Sequence, residues 1–385
     1  MKKEITFKIG PAVIKIEGQH ILVKWAQNVF CILECNEEPG LIFRFVNHPI
    51  DLPEQNVVGD GRSFVGDRVM SYKEKYYDVK INSGKPFIVE LYQRDRRNLF
   101  VRSLIDIDEA WKTWLTHGAS LNIKLLKDFV YSIFPFILQC FLLPYNAALI
   151  HASGFSINTK AVLLPAWGGV GKTTIMSHFV LRGGAKFLAD DYAIVDTNGK
   201  IYLYTLPIHT YLYHLEQDRE LREKVMSSLS KMNRLQWYIG KIIKPMKVVR
   251  WISPVTIFGR NKMVDSGEIS FVVVLFRGKT SNFVWEPCSS YNAAITCASI
   301  IMSEIKTFTE RIARAEAGWH KSIFPSLGDM HRMLIDIYNR AFSRAYCVRL
   351  MIPEKTDGST LVEYLSNKCP LLKKPIEGVA FNEHV

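Results

Sequence analysis

Between Ala166 and Thr174 the chain reads AWGGVGKTT, a run of small residues that ends in a lysine and two hydroxyls. Residues of these types at this spacing suit the grip of a polyphosphate. Glycines at 168, 169 and 171 let the backbone fold back so that successive N–H groups, with those of Trp167 and Val170 among them, converge on phosphate oxygens. A helix opening at this point adds its N-terminal dipole. Lys172 then reaches the β- and γ-phosphates as a point charge, and the Thr173 hydroxyl is placed to ligate Mg²⁺. Thr174 packs or caps. The usual GxxxxGK(S/T) pattern begins with glycine; Ala166 stands there instead, which a backbone of negative φ accommodates.

Eighteen and nineteen residues beyond Lys172, the apolar segment KFLADD ends in Asp190 and Asp191. Carboxylates at a strand's end beside a phosphate loop can hold Mg²⁺ through water or take a proton from an attacking hydroxyl. Neighbouring carboxylates also raise each other's pKa, which suits one of them to act as a base. His151, in LIHASG, lies twenty-one residues before Lys172 next to an apolar run.

The elements that must position these residues can be read from periodicity. From Ile5 to about Ile105 the pattern is strand-like and antiparallel: ITFKI, AVIKIE, HILVKWA, LIFRFV, YYDVKI, FIVELY and LFVRSLI. Turn signals at Glu38-Pro39-Gly40, Gly59-Asp60-Gly61 and Ser83-Gly84-Lys85-Pro86 separate them. Residues 106–145 change to helical spacing, with Leu121, Leu125, Phe129 and Ile133 on one face. The greasiest run, Phe129 to Leu143, carries Pro135, falls short of the ~20 residues that span a bilayer, and reads as a buried helix, with an interfacial membrane segment as the alternative. Beyond it, strands at Ala147–Phe155, Lys160–Pro165 and Lys186–Asp191 alternate with a helix from about Gly171 to Arg182, an α/β arrangement. Ile269–Phe276 is a strand, Ser290–Ile305 a helix, Tyr346–Ile352 a late strand and Thr360–Leu365 a terminal helix. The organisation expected is a β-rich N-terminal domain (1–105), a helical linker (106–145) and a catalytic domain (146–385).

LIHASG, AWGGVGKTT and FLADD, in this order and at these separations, resemble the catalytic domain of HPr kinase/phosphorylase and the HPr-kinase-like serine kinases. The resemblance extends from about Tyr145 to the YCVRLMIP segment, over half the chain. It implies an α/β (α+β overall) fold in which a phosphoenolpyruvate-carboxykinase-like P-loop kinase core follows the β-rich domain. It implies His151 as an active-site neighbour, Lys172 and Thr173 on the triphosphate of ATP and on Mg²⁺, Asp190 as base and Asp191 as the metal-side carboxylate. The family's second signature, an acidic residue followed by Arg-Gly, is absent after Asp191, where the chain reads TLPIHTYLYHLEQ. HPr is therefore not the expected substrate. The N-terminal part is more similar to HPr-kinase-related proteins of ribosomal peptide biosynthesis, kinases of lasso-peptide precursors included, or to small-molecule kinases. Glu216 or His209 would replace the missing acidic ligand.

Composition bounds the rest. The 385 residues are 48% hydrophobic and 22% charged, which excludes disordered, collagen-like and disulfide-scaffold classes. Seven scattered cysteines with no CxxC indicate neither a disulfide framework nor a zinc site, so a reducing cytoplasm fits. The N-terminus alternates polar and apolar residues rather than forming a signal peptide. A net charge of +12 favours anionic partners, and Lys224–Val264 holds nine Lys or Arg and no Asp or Glu. That segment is a solvated face, an anionic-substrate groove or a nucleic-acid contact; no nucleic-acid module accompanies it, which disfavours nucleic acid. Arg277, Arg311 and Arg314 are candidates to stabilise charge at the γ-phosphate. The expected activity is an Mg²⁺- and nucleotide-dependent kinase acting on a hydroxyl, in a precursor peptide or a small molecule. The alternative is a nucleotide-binding regulatory or assembly ATPase. A homo-oligomer is compatible with either.

Overall fold

The computed structural model describes residues 3–50, 57–58, 63–65, 69–73, 76–94, 122–211, 215, 219–243, 249–317 and 323–372. Two strands open the chain, β1 (Glu4–Ile9) and β2 (Ala12–Gly18), paired antiparallel about a turn at Gly10, which sits at φ +57°. Alternate residues of both are buried, as a half-covered sheet requires.

The next segment, expected as a strand, is a helix, α1 (Ile21–Val29). The His20 ring caps it by accepting the Leu22 N–H at 3.2 Å. Leu22, Val23, Ala26 and Val29 share the buried face, a spacing that fits 3.6 residues per turn and not 2. The helix carries the chain back over the sheet, so β3 (Leu41–Val46) pairs parallel with β2. The strands β4 (Val57–Val58), β5 (Ser63–Val65), β6 (Val69–Lys73), β7 (Tyr77–Asn82) and β8 (Phe87–Gln93) complete an eight-stranded sheet in the order β1-β2-β3-β8-β7-β6-β5-β4. Because β3 is also parallel to β8, the sheet is mixed, not antiparallel. Residues 99–105, the turn at 59–61 and the start of the helical linker, 106–121, lie outside the described residues.

Helix α2 (Asn122–Asp128) runs through a π-helical turn, Phe129–Ile133, into α3 (Phe134–Leu142). Pro135 has no N–H to give the preceding turn, and there the Phe134 N–H reaches back five residues to the Phe129 carbonyl. The helical run is longer than expected: Leu125–Tyr145, 21 residues, is the one among the described residues long and apolar enough to cross a membrane by length and composition. Most of it is buried, with Phe129, Ile133, Phe134, Phe136, Ile137 and Leu138 wholly enclosed.

The second sheet begins with β9 (Ala147–Ile150) and β10 (Ala152–Ile157). The expected single strand is broken at His151, because β9 pairs with one neighbour and β10 with two others. The remaining strands are β11 (Lys160–Pro165), β12 (Lys186–Ala189), β13 (Ala193–Asp196), β14 (Lys200–Tyr202), the separate pair β15 (Ile208–Tyr211) and β16 (Val249–Ile252), then β17 (Ser266–Gly278), β18 (Val284–Pro287) and β19 (Tyr346–Pro353). Nine of them form a mixed sheet ordered β12-β10-β11-β17-β14-β13-β9, with β19 beside β17 and β18 beyond. The helices after α3 are α4 (Lys172–Arg182), α5 (Arg219–Ser228), α6 (Lys231–Ile243), α7 (Pro254–Phe258), α8 (Ser290–Glu304), α9 (Lys306–Ala317), α10 (Leu327–Ala341) and α11 (Gly358–Lys368).

The sheet is buried on both faces. Ala161 and Leu163 of β11 and Val272 and Val274 of β17 join one apolar cluster, while their neighbours Val162, Leu164, Val273 and Leu275 join the other. That alternation is the period-2 rule for a strand covered on both sides. The first cluster is continuous from Ile5 of β1 through α3 to Cys347, and the second packs around α4 and α11.

Candidate active site

The glycine-rich loop leaves the end of β11 and returns as α4, and its bend is set by two residues. Gly169 at φ +77° and Gly171 at φ +117° occupy the left-handed region that a side chain strains. Ala166 has no such φ, and it is buried with its N–H donated to the His151 carbonyl at 3.3 Å. Lys172 folds back over the loop: its Nζ donates to the carbonyls of Ala166 at 2.7 Å and Trp167 at 3.0 Å. The ammonium is almost fully buried, and that burial lowers its pKa. Val170 is buried, and its carbonyl accepts Arg277 Nη2 at 3.3 Å. The same guanidinium reaches the carbonyls of Glu354 and Thr356, so Arg277 braces the back of the loop. Gly168 and Trp167 face outward, and the Trp167 indole donates to Ser303 Oγ at 3.2 Å. Thr174 is half-buried in the first turn of α4.

Strand β12 delivers the carboxylates. Asp190 is 3% exposed and accepts hydrogen bonds from the Ser153 hydroxyl and from Thr173 Oγ1, the latter 3.1 Å from both carboxylate oxygens. Burial, helped by the charge of Asp191 and outweighing those hydrogen bonds, pushes its pKa up to about 6. The chain then turns sharply: Asp191 sits at φ +67°, rare for a residue with a side chain, and its carboxylate keeps 31% exposure. Its burial is outweighed by His151, whose Nε2 lies 3.1 Å from Asp191 Oδ1, and by the fields of His209 and Lys172, so its pKa falls to about 2.

His151, placed at the break between β9 and β10, joins the halves of the site. Its Nε2 is also 3.3 Å from Lys172 Nζ, and its Nδ1 is 3.3 Å from Glu304 Oε1 at the end of α8. Burial disfavours the imidazolium, but the two carboxylates outweigh it and raise the pKa. Three carboxylates thus face one ammonium and one imidazole, an excess of negative charge that a divalent cation would relieve. Among the described residues no group of three or more His, Cys, Asp or Glu is arranged to hold a metal alone. That donor set fits Mg²⁺, which usually takes one or two protein ligands and completes its shell with phosphate and water.

Within reach of the field of Asp191 stands an aromatic wall that sequence reasoning found only in part. Tyr131, in the π-helical turn, shares a hydrogen bond with His209 Nε2. The His209 ring stacks on Trp251 at 5.2 Å, and Trp251 meets Tyr131 at 5.3 Å. Burial lowers the His209 pKa and raises that of Tyr131, so the neutral imidazole can accept the tyrosine O–H. The field of Asp191 reaches both rings.

The structure therefore gathers His151, Lys172, Thr173, Asp190 and Asp191, expected from sequence, with Ser153, Glu304 and Tyr131, which were not. Glu304 had one faint signal, being the sole acid of an otherwise uncharged helix. Of the arginines proposed for the γ-phosphate, Arg277 is committed to backbone carbonyls, and Arg311 lies over the Tyr72 ring of the first sheet at 4.3 Å. Glu216 and the side chain of Arg314 lie outside the described residues.

No family model and no curated protein matches the chain. Among solved structures it is similar to the HPr(Ser) kinase/phosphatase from Coxiella burnetii, with 10% sequence identity and a TM-score of 0.24 over 57% of this chain and 95% of that one. At that level the likeness is a distant one.

Proposed function

We propose that this protein is a phosphotransferase that moves the γ-phosphoryl group of ATP to a hydroxyl, with Mg²⁺ as cofactor and a P-loop core of the phosphoenolpyruvate-carboxykinase type. One observation carries the reading: the hydroxyl after the loop lysine bonds directly to Asp190, while His151 stands between Lys172 Nζ and Asp191, so loop and carboxylate pair form one polar cluster at the end of β12. Bound Mg·ATP supplies the electrophilic phosphorus and much of the charge neutralisation. Lys172 exchanges the carbonyls of Ala166 and Trp167 for phosphate oxygens, and the free N–H groups of the loop and of the first turn of α4 hold the rest.

The contacts support a division of labour opposite to the one the motif resemblance implies. Asp190 is enclosed and hydrogen-bonded to Thr173, the expected metal-binding hydroxyl, which suits it to the cation side. Asp191 keeps 31% of its side chain exposed, so an acceptor could reach it; its charge acts on Tyr131 and His209, and His151 orients it. In this reading Asp191 takes the acceptor proton and the aromatic wall flanks the acceptor, a peptide serine or a small-molecule alcohol. The raised pKa of Asp190 and the lowered one of Asp191 favour the reverse assignment, with Asp190 as base and Asp191 on the cation; since phosphoryl transfer leans mainly on positioning, exposure to the acceptor is weighted more heavily.

The test is incubation with γ-labelled ATP and Mg²⁺ against serine-containing peptides, free serine and sugars, with the label located by mass spectrometry. A labelled hydroxyl that disappears in Lys172→Ala supports the proposal. Hydrolysis without transfer to any acceptor argues for an ATPase instead, and absence of nucleotide binding ends both.

A further inference from the structure

Helix α6 is apolar on two opposite sides, and only one of them is covered. Gln236 and Trp237 turn inward, the indole buried beneath the Arg250 guanidinium 5.3 Å from its ring. On the other side Met232, Leu235, Tyr238 and Ile242 are 58%, 53%, 52% and 84% exposed. They are spaced three, three and four apart, which puts them in one stripe along the helix. Of the ten large hydrophobic residues exposed among the described residues, these four fall within eleven consecutive positions, so the stripe is not the ordinary scatter of surface apolar groups.

Its surroundings are basic. Lys231, Arg234 and Lys241 lie on the same helix, and from Lys224 to Val264 no acidic residue occurs. The Arg234 guanidinium donates to the carbonyls of Leu229 and Ser227, neutral acceptors that leave its charge in place. The four apolar side chains stand out as a ridge rather than lining a groove. A protein partner would need a matching groove, whereas a fluid layer of lipid headgroups closes around a ridge, and phosphate headgroups supply the negative charge that this face lacks.

We propose that α6 seats the protein on an anionic lipid surface, with Met232, Leu235, Tyr238 and Ile242 entering the headgroup layer and Lys231, Arg234 and Lys241 on lipid phosphates. The experiment is co-sedimentation of the full chain with vesicles of phosphatidylglycerol and phosphatidylcholine, beside vesicles of phosphatidylcholine alone. Binding is expected to the anionic vesicles, to weaken about tenfold between roughly 0.05 and 0.5 M salt, and to drop about tenfold or more in Leu235→Glu/Ile242→Glu. Both side chains are exposed, so the variant's melting temperature should stay within about 2 °C of the parent. Should it melt early, Lys231→Glu/Lys241→Glu replaces it with the same expectation. Failure to bind anionic vesicles, equal binding to neutral ones, or unchanged binding in the charge-bearing variants overturns the proposal. So does an Ile242-dependent dimer in a chain that ignores vesicles, which would assign the ridge to a second copy.

Discussion

At Asp190 the fold holds a carboxylate where its charge is disfavoured. Moving a pKa from 3.8 to about 6 costs the ionised form about 3 kcal/mol at about 1.4 kcal/mol per unit. A folded-state pKa above the unfolded one means this stability deficit is absent below about pH 4 and complete once pH passes about 6. Asp190→Asn should therefore make the ligand-free protein more stable at pH 7, by about 1–3 kcal/mol, and leave it nearly unchanged at pH 4. Denaturation curves at the two pH values check this, and a destabilised variant at pH 7 would refute it. The same substitution should raise the Mg²⁺ concentration needed for turnover. Asp191→Asn, by contrast, should leave Mg·ATP binding within a few-fold and reduce transfer by about 10²-fold or more, as expected for a lost general base. If the two phenotypes are exchanged, the roles belong the other way round. His151 works in the opposite sense to Asp190: its pKa is raised, so its pairing with Asp191 and Glu304 stabilises at low pH and fades as pH climbs through that raised value. The loop, the carboxylate pair and His151 were legible because each belongs to a contiguous motif with its own backbone logic. Ser153 and Glu304 were not, since a lone serine or glutamate acquires meaning only when strand pairing and helix packing bring it to the histidine.

At the scale of elements, β9 ends the second sheet and would offer bare backbone groups to solvent or to another chain. Two side chains cover it. Gln139 of α3 accepts the Leu149 N–H at 2.8 Å, and the Tyr338 hydroxyl of α10 donates to the Leu149 carbonyl. Both side chains are fully buried, so each loss leaves a buried backbone group unpaired. Gln139→Leu and Tyr338→Phe should each cost about 1–3 kcal/mol in chemical denaturation. Because β9 leads directly into His151, both should also weaken nucleotide-dependent stabilisation; variants as stable as the parent would show that β9 does not need the two bonds. Periodicity identified β11, α4 and β17 well, because their neighbours are sequential motifs or long apolar runs, but it ran β9 and β10 together across His151. It misread α1, where HILVKWA is too short an apolar run to separate a strand from a helix and His20 caps the helix start. It also missed the parallel pairing of β2 with β3, which follows from α1 acting as a crossover that the strand reading had removed, and of β3 with β8, which the chain reaches only after β4 to β7.

At the scale of the molecule, the two sheets share apolar contacts through α1 and the α2–α3 run. Phe30, following α1, stacks on Tyr204 at 6.3 Å and on Phe134 at 6.1 Å, while Phe43 of β3 meets Phe129 at 5.5 Å and Phe134 at 5.2 Å. The Thr205 hydroxyl donates to the Val29 carbonyl at 2.7 Å in the same seam. Tyr204 itself pairs with Ala189, the residue before the carboxylates, so the seam abuts the strand end that carries Asp190 and Asp191. Phe134 is fully enclosed against Phe43 of the first sheet and against Phe30, which itself stacks on Tyr204, and truncating such a ring costs about 3–5 kcal/mol through lost transfer energy and the cavity left behind. Phe134→Ala should lower the melting temperature of both sheets together, in one calorimetric transition, and release nucleotide affinity with it. Two separate transitions in the parent, with only the earlier one moved by Phe134→Ala, would show that the first sheet and the second sheet are independent folding units. A single transition makes the aromatic seam the means by which the first ninety-odd residues support the strand end where the carboxylates stand.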